Sequence, residues 1–259
     1  MEIHFSILTV TLNAKNDLLK TISSVQNQNY KNFTHYIKDG LSKDGTNNIK
    51  FSKYINTYFF ESKDKGVYDA MNQAFFHTKS GYILFLNAGD ILFSKSSLEE
   101  LAFNIRENKS YNIYIGGTLQ IDPKKNIPLR LMGNGRLYRF LPFAQFPHPS
   151  LVIKREILTK LKDTFDSDLE IAGDYKQQLI LRKKNLWKTY FLNQIITIMP
   201  IGGKSNKNKR SILLGLKETV LFSFKLYNFL SIFIILEKII LNFYSRYKCI
   251  LYNFRNKIY

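Results

Sequence analysis

The sequence predicts an α/β protein built on a mostly parallel sheet, with a helical extension at its carboxyl end. Three observations carry this. Short β-branched or aromatic runs alternate with helix-spaced apolar positions through the first hundred residues. The links between them are only a few residues long, as in successive β-α units that place helices on both faces of a sheet. From about Ser211 the pattern gives way to long helical spacing rich in Leu, Ile and Phe.

Each element follows from its own residues. "HFSILTVTL" (4–12) is β-branched and reads as a buried strand. Asn13 or Asn16 can cap a helix whose apolar positions are Leu18, Leu19, Ile22 and Val25. "FTHYIKDG" (33–40) is a second strand ended by Asp-Gly, then a polar helix near Thr46, a strand "TYFFES" (57–62) and a helix over 67–78. "YILFL" (82–86) is a fully apolar strand, and a helix runs from about Ser96 to Arg106. "YNIYIGGTLQID" (111–122) is a strand, and the Gly- and Pro-bearing stretch to Pro149 is irregular. "SLVIKREIL" (150–158) reads as strand into helix, and "DYKQQLILRKKN" (174–185) as a helix with Leu179 and Ile180 inward. "WKTYFLNQIITIM" (187–199) supplies one or two late strands.

Composition narrows the class. A chain of 259 residues with 45% hydrophobic content can bury a large core and is not disordered. Its one cysteine, Cys249, excludes an internal disulfide framework and fits a reducing compartment. The start "MEIHFSILTV" lacks a basic leader and a cleavage site, so export is not expected. The net charge of +18 asks for an anionic partner. Half of it lies beyond Pro200, where eleven basic residues face only Glu218 and Glu237. The uncharged run Leu226–Leu236 is short for a bilayer span, so helices lying in a membrane interface, or packed on the domain, are the expectations.

Acidic residues recur where strands end or helices begin. Asp90 follows the apolar strand in "FLNAGD", Asp39 ends the second strand, Asp69 lies in "DKGVYDAMN" and Asp174 in "IAGDYKQ". Parallel strands share one carboxyl edge, so Asp39 and Asp90 should approach the same crevice, where open α/β sheets bind ligands. Each has a plainer use. Asp39-Gly40 can be a simple turn, Asp69 and Asn72 a solvated helix face, and Asp174 an acid favoured by a helix dipole.

Six stretches in order carry a resemblance: "SILTVTLNAKNDLLKTISSVQNQNYKNF", "YIKDGLSKDGT", "DKGVYDAMNQAFFHTKSGYILFLNAGD", "HPSLVIKREI", "IAGDYKQQLIL" and "IGGKSN". Over residues 4–206 the chain resembles the family 2 inverting glycosyltransferases of GT-A fold, in particular those building bacterial surface polysaccharides of O-antigen or colanic-acid type. The resemblance implies a transferase domain over 1–206, which leaves the basic, aromatic helical tail over 207–259 beyond it. It implies that Thr11, Asn13 and Asp39 line the base and ribose pocket. Lys65, Asp69 and Asn72 would flank the ribose, diphosphate or sugar. Asn87 and Ala88 also belong to the nucleotide-sugar site, since "NAGD" stands in place of a DXD-type motif. Asn87 and Gly89 occupy positions where many relatives have Asp, leaving Asp90 as the carboxylate for a divalent cofactor, Mg²⁺ or Mn²⁺. Asp174 matches the catalytic base, which takes the acceptor hydroxyl's proton. His148 is a contact for diphosphate or acceptor, or a packed loop histidine. Lys204 in "GGKSNKNKR" is a phosphate contact on a closing loop, or part of a solvated basic loop.

The expected function is therefore metal-assisted sugar transfer from a nucleotide donor to a glycan acceptor, lipid-linked, at the inner face of the cell membrane. The expected partners are the donor, that acceptor and an anionic membrane surface, without nucleic acid. A non-catalytic basic protein on a degenerate transferase domain, binding membrane or nucleic acid, is the alternative. A nucleotidyltransferase would want a Gly-rich phosphate loop after the first strand, and "TLNAKND" has no glycine.

Overall fold

A computed structural model describes residues 2–133, 135–203 and 208–256 of the chain. Its first half is a run of parallel β-α units. Strands β1 (Phe5–Thr11), β2 (Phe33–Asp39), β3 (Thr57–Glu61) and β4 (Tyr82–Phe85) are joined by α1 (Lys15–Gln26) and α2 (Val67–Phe76). The short β5 (Ile91–Leu92) and α3 (Ser97–Glu107) follow. In the second half come β6 (Ile113–Asp122), β7 (Ile127–Met132), α4 (Arg136–Phe140), β8 (Leu151–Lys154) and α5 (Arg155–Leu158). Then follow α6 (Gly173–Lys183), β9 (Thr189–Pro200), α7 (Lys209–Tyr227) and α8 (Ser231–Asn256).

The strands form one sheet in the order β3-β2-β1-β4-β8-β6-β9-β5, with β7 paired to β6. The first four are mutually parallel; β8 enters antiparallel between β4 and β6, and β6 runs parallel to β9. Alternation along β4 explains why that strand is apolar throughout. Ile83 and Phe85 face the core under α2, whereas Leu84 and Leu86 face the core formed with α3. Burying each such side chain contributes about 1.5–3 kcal/mol.

Three local expectations are corrected, and one left open between two forms is decided. The polar helix near Thr46 is only two 3₁₀ turns, Thr46–Asn48 and Phe51–Lys53. The Thr46 hydroxyl bonds the Asp44 carboxylate at 2.6 Å, the side-chain competition that keeps such residues out of helices. Neither Asn13 nor Asn16 caps α1; the Lys15 N–H donates to Asp44 Oδ2 at 2.8 Å. The irregular stretch before Pro149 holds β7 and α4. The late strand is single and twelve residues long.

The tail is two helices, broken at Asn228, whose φ is 52°. The stretch 209–255 is long and apolar enough to cross a membrane by length and composition. One side of it is nevertheless committed to the protein. Phe222 and Ile234 pack with Ala172, Tyr175 and Leu179, and Cys249 packs with Leu119 and Leu131 of the β6–β7 hairpin.

Candidate active site

The parallel register brings several site candidates to one edge. Thr11 lies beside Asp39 at the ends of β1 and β2, and the Gly40 N–H donates to the Thr11 carbonyl at 2.9 Å. Asp39 is fully buried, and its carboxylate accepts the Ser42 N–H at 2.7 Å and the Ser42 hydroxyl at 2.5 Å. Asn13 takes a left-handed conformation, its N–H donates to the Ser42 hydroxyl at 2.7 Å and its Oδ1 accepts the Lys43 N–H at 2.7 Å. Together these bonds fold residues 39–43 back over the end of β1. Beside them a polar concavity of about 340 Å³ is lined by Asn13, Ala14, Lys15, Asn16, Asp17 and Asp44.

The 87–90 turn closes the same edge. The Leu86 and Ala88 N–H groups still bond to β1, at the carbonyls of Leu8 and Val10. Gly89 then takes φ 101°, a left-handed value that aspartate rarely adopts, and the Asp90 N–H reaches the Asn87 carbonyl at 2.9 Å. That conformation gives a physical reason for glycine at this position. Thr21 of α1, fully buried, clamps the turn: its hydroxyl accepts the Gly89 N–H at 2.9 Å and donates to the Asp90 carbonyl at 2.8 Å. Nothing in the sequence marked Thr21, because its partners lie about seventy residues away.

Asp90 is only 7% exposed, and burial raises its carboxyl to about 7, offset in part by the Asn87 backbone. Among the described residues no lysine, arginine or histidine forms an ion pair with it. Two buried polar atoms in this region lack a hydrogen-bond partner, Thr11 Oγ1 and Asn87 Oδ1. No group of three or more His, Cys, Asp or Glu side chains that could hold a metal converges among the described residues. Asp90 would thus be the carboxylate for an ion whose other ligands are phosphate and water, a mode Mg²⁺ commonly uses. A buried carboxylate without a counter-ion fits that role.

Asp174 lies on the first turn of α6, partly buried, and burial raises its pKa. The Tyr175 backbone, the Lys238 ammonium and the Tyr68 hydroxyl oppose that rise. Tyr68 of α2 donates to the Ile171 carbonyl at 2.6 Å and lies 3.3 Å from Asp174 Oδ1. Its ring leaves no room at Gly173, where an added Cβ would sit 2.8 Å from Tyr68 Cδ2. Aromatic contacts connect this corner to β4. Phe165 meets Tyr68 at 5.6 Å and Phe85 at 5.0 Å, centroid to centroid.

The remaining candidates divide. His148 is buried against Phe85 and Phe165, neither ring nitrogen is hydrogen-bonded, and burial lowers its pKa to about 4. It is a neutral imidazole next to the aromatic path. Asp69 accepts the Lys65 N–H at 2.9 Å and tightens the start of α2, while Lys65 itself is exposed. Asn72 exchanges both amide groups with the Phe165 backbone, at 2.8 and 2.9 Å, so its side chain ties α2 to the 165 loop rather than standing open. Lys204 lies outside the described residues, as does the expected domain boundary at 206/207. Sequence reasoning passed over Lys38, fully buried beside Asp39. It pairs with Asp64 and donates to the Ser62 carbonyl at 2.9 Å, bracing the loop before α2.

Comparison with known proteins bears on this arrangement. A family model described as Glycosyl transferase family 2 matches residues 6–157. A PGL/p-HBAD biosynthesis glycosyltransferase of Mycobacterium tuberculosis is 30% identical over 119 residues, covering 44% of this chain and 46% of that protein. The chain thus spans about half the length of such curated relatives. Among solved structures, S. aureus TarS 1–349 is similar with a TM-score of 0.67 at 15% identity, over 87% of this chain and 66% of that one. The mannosyltransferase PcManGT from Pyrobaculum calidifontis, in complex with GDP-Man and Mn²⁺, gives 0.62 at 13% identity, over 85% and 65%. At these identities the structural likeness speaks for the fold.

Proposed function

The chain belongs to glycosyl transferase family 2, and from that premise we propose that it moves a sugar from a nucleoside-diphosphate donor to a glycan acceptor with inversion. The observation that supports this most is the set of open polar groups at one sheet edge: buried Asp90 without a counter-ion, Thr11 Oγ1 and Asn87 Oδ1 without partners. Unsatisfied buried groups are costly, and a ligand that supplies cation and hydroxyls removes the cost. Asp39 and Thr11 face the nucleoside, and Asp90 would hold Mg²⁺ or Mn²⁺. When bound, that ion neutralises charge on the diphosphate.

The bond changes are those of an in-line displacement. The acceptor oxygen forms a bond to the anomeric carbon while the bond from that carbon to the phosphate oxygen breaks. The electron pair leaves with the nucleoside diphosphate, and the acceptor's proton passes to the Asp174 carboxylate. Burial raises the Asp174 pKa, the direction that makes its carboxylate a stronger base. The tail supports a reading of the acceptor class: its outer surface exposes Phe224, Phe229, Phe233, Phe243 and Phe254 among Lys217, Lys225 and Arg246. An apolar face flanked by basic residues suits an anionic bilayer interface and hence a lipid-linked acceptor in surface-polysaccharide synthesis, on the cytoplasmic side.

A thermal-shift panel of UDP-, GDP- and dTDP-sugars with and without Mn²⁺ tests the reading. One donor class should raise Tm in a metal-dependent way. Calorimetry of Asp90→Asn should then show nucleoside diphosphate binding that no longer tightens with Mn²⁺. Unchanged metal-dependent affinity in that variant removes Asp90 from the role.

A further inference from the structure

The two acids of the basic tail point inward, and one of them is bound to the segment that carries Asp174. Glu218 of α7 is 7% exposed and its carboxylate accepts three successive backbone N–H groups: Glu170 at 2.8 Å, Ile171 at 3.0 Å and Ala172 at 2.8 Å. Asp174 follows two residues later. Glu237 of α8 does the same for a neighbouring segment, accepting the Phe143 N–H at 2.8 Å. Lys238, which follows Glu237, lies over the Tyr175 ring, donates to the Thr219 hydroxyl at 3.0 Å, and among the described residues is the cation that acts on Asp174.

We propose that Glu218 is a positioning residue for the transfer step, setting the backbone of residues 170–172 so that Asp174 meets the acceptor hydroxyl. The hairpin of α7 and α8 is then part of the active site rather than an appendage to it. Three amides aimed at one carboxylate form a rigid joint, since bonds to an ionised acceptor are about twice as strong as neutral ones. Tyr68 braces the same joint from the opposite side by bonding the Ile171 carbonyl. The donor edge at Thr11, Asp39 and Asp90 has no bond to Glu218 among those formed by the described residues, so base placement and donor binding are separable. The proposal rests on Asp174 acting as base.

The test uses the full chain, the nucleotide-sugar giving the largest thermal shift, and nucleoside diphosphate release to water as readout. Glu218→Gln, which keeps the size but replaces one acceptor oxygen with a donor, should lower kcat at least tenfold with donor KM within twofold of wild type. Amide hydrogen exchange should quicken at 170–174 and stay unchanged in β1. The Glu218→Gln/Asp174→Asn double variant should be no slower than Asp174→Asn alone, because both changes act through one group. If Glu218→Gln does not fold, Glu218→Asp keeps the charge and should show the same split at a smaller loss. Wild-type kcat in the folded variant beside an inactive Asp174→Asn overturns the proposal, as does a loss shared equally between kcat and KM. A fully active Asp174→Asn instead overturns the base assignment, whatever exchange shows at 170–174.

Discussion

At the scale of single residues, burial decides which titratable groups work and which only pack. Asp174→Asn should keep donor affinity and lose transfer by about 10²–10⁴-fold, the range for removing a general base. Only the ionised carboxylate accepts a proton, so wild-type kcat should fall as pH drops through the raised Asp174 value. The groups facing that carboxyl are Tyr68, Tyr175 and Lys238, with Glu218 acting on Lys238. His35 offers the opposite case. It is fully buried, bonded to the Thr9 hydroxyl at 2.8 Å, and desolvation lowers it from 6.5 to about 3. The unfolded chain therefore takes up a proton that the folded one refuses. Stability from this group is complete above pH 6.5 and is lost as pH falls toward 3, a contribution on the order of 5 kcal/mol. Urea midpoints between pH 7 and 4 should fall more steeply for wild type than for His35→Gln. Asp90, raised toward 7, tilts stability the other way, but it is common to both proteins and cancels in the comparison.

Between elements, the decisive contacts are those that fix loops at the sheet edge. Thr21 carries α1 onto the 87–90 turn by accepting from the Gly89 N–H and by donating to the carbonyls of Asp90 and, at 3.3 Å, Asn87. Thr21→Val keeps the shape and removes these bonds, leaving the Gly89 N–H without an acceptor. The cost should be about 1–3 kcal/mol in stability. Because the turn also carries Asp90, Mn²⁺-dependent nucleotide affinity should weaken in the same variant, which calorimetry would show. On the far side, Gly173→Ala forces Tyr68 aside, since the new methyl would lie 2.8 Å from its ring. Transfer should fall with donor binding kept.

The whole molecule is polarised between the sheet edge that carries Asp39 and Asp90 and the outer face of α7 and α8. All the acids of the tail are turned inward, so apolar and basic side chains dominate what faces out. Each buried Phe contributes about 1.5–3 kcal/mol and each surface Lys or Arg about 1 kcal/mol at an anionic bilayer. The full chain should therefore cosediment with phosphatidylserine-containing vesicles and release with salt. A Phe229→Glu/Phe233→Glu/Phe243→Glu variant should stay in the supernatant with its Tm and nucleotide affinity unchanged. Failure of the wild-type chain to bind such vesicles at low salt would remove the membrane reading. Truncation at Arg210 is the less informative variant, because it strips Glu218 from the 170–172 backbone and uncovers Tyr175 and Leu179.

By itself the sequence determined the α/β class, the placing of β1, β2, β4 and α6 to within a residue or two, and the family to which residues 6–157 belong. These follow from local periodicity and from motifs whose chemistry is contiguous, such as an apolar strand running into "NAGD". Tertiary structure alone decided the partners. Asn72, read as open to a ligand, is spent on the Phe165 backbone, and Asp44, unremarked, caps α1 in place of Asn13 or Asn16. The two tail acids, outnumbered by eleven basic residues in the sequence, hold the backbone before α6 and at Phe143. Hydrogen bonds between residues tens of positions apart leave no period in a sequence, because what selects them is the distance that the folded sheet creates.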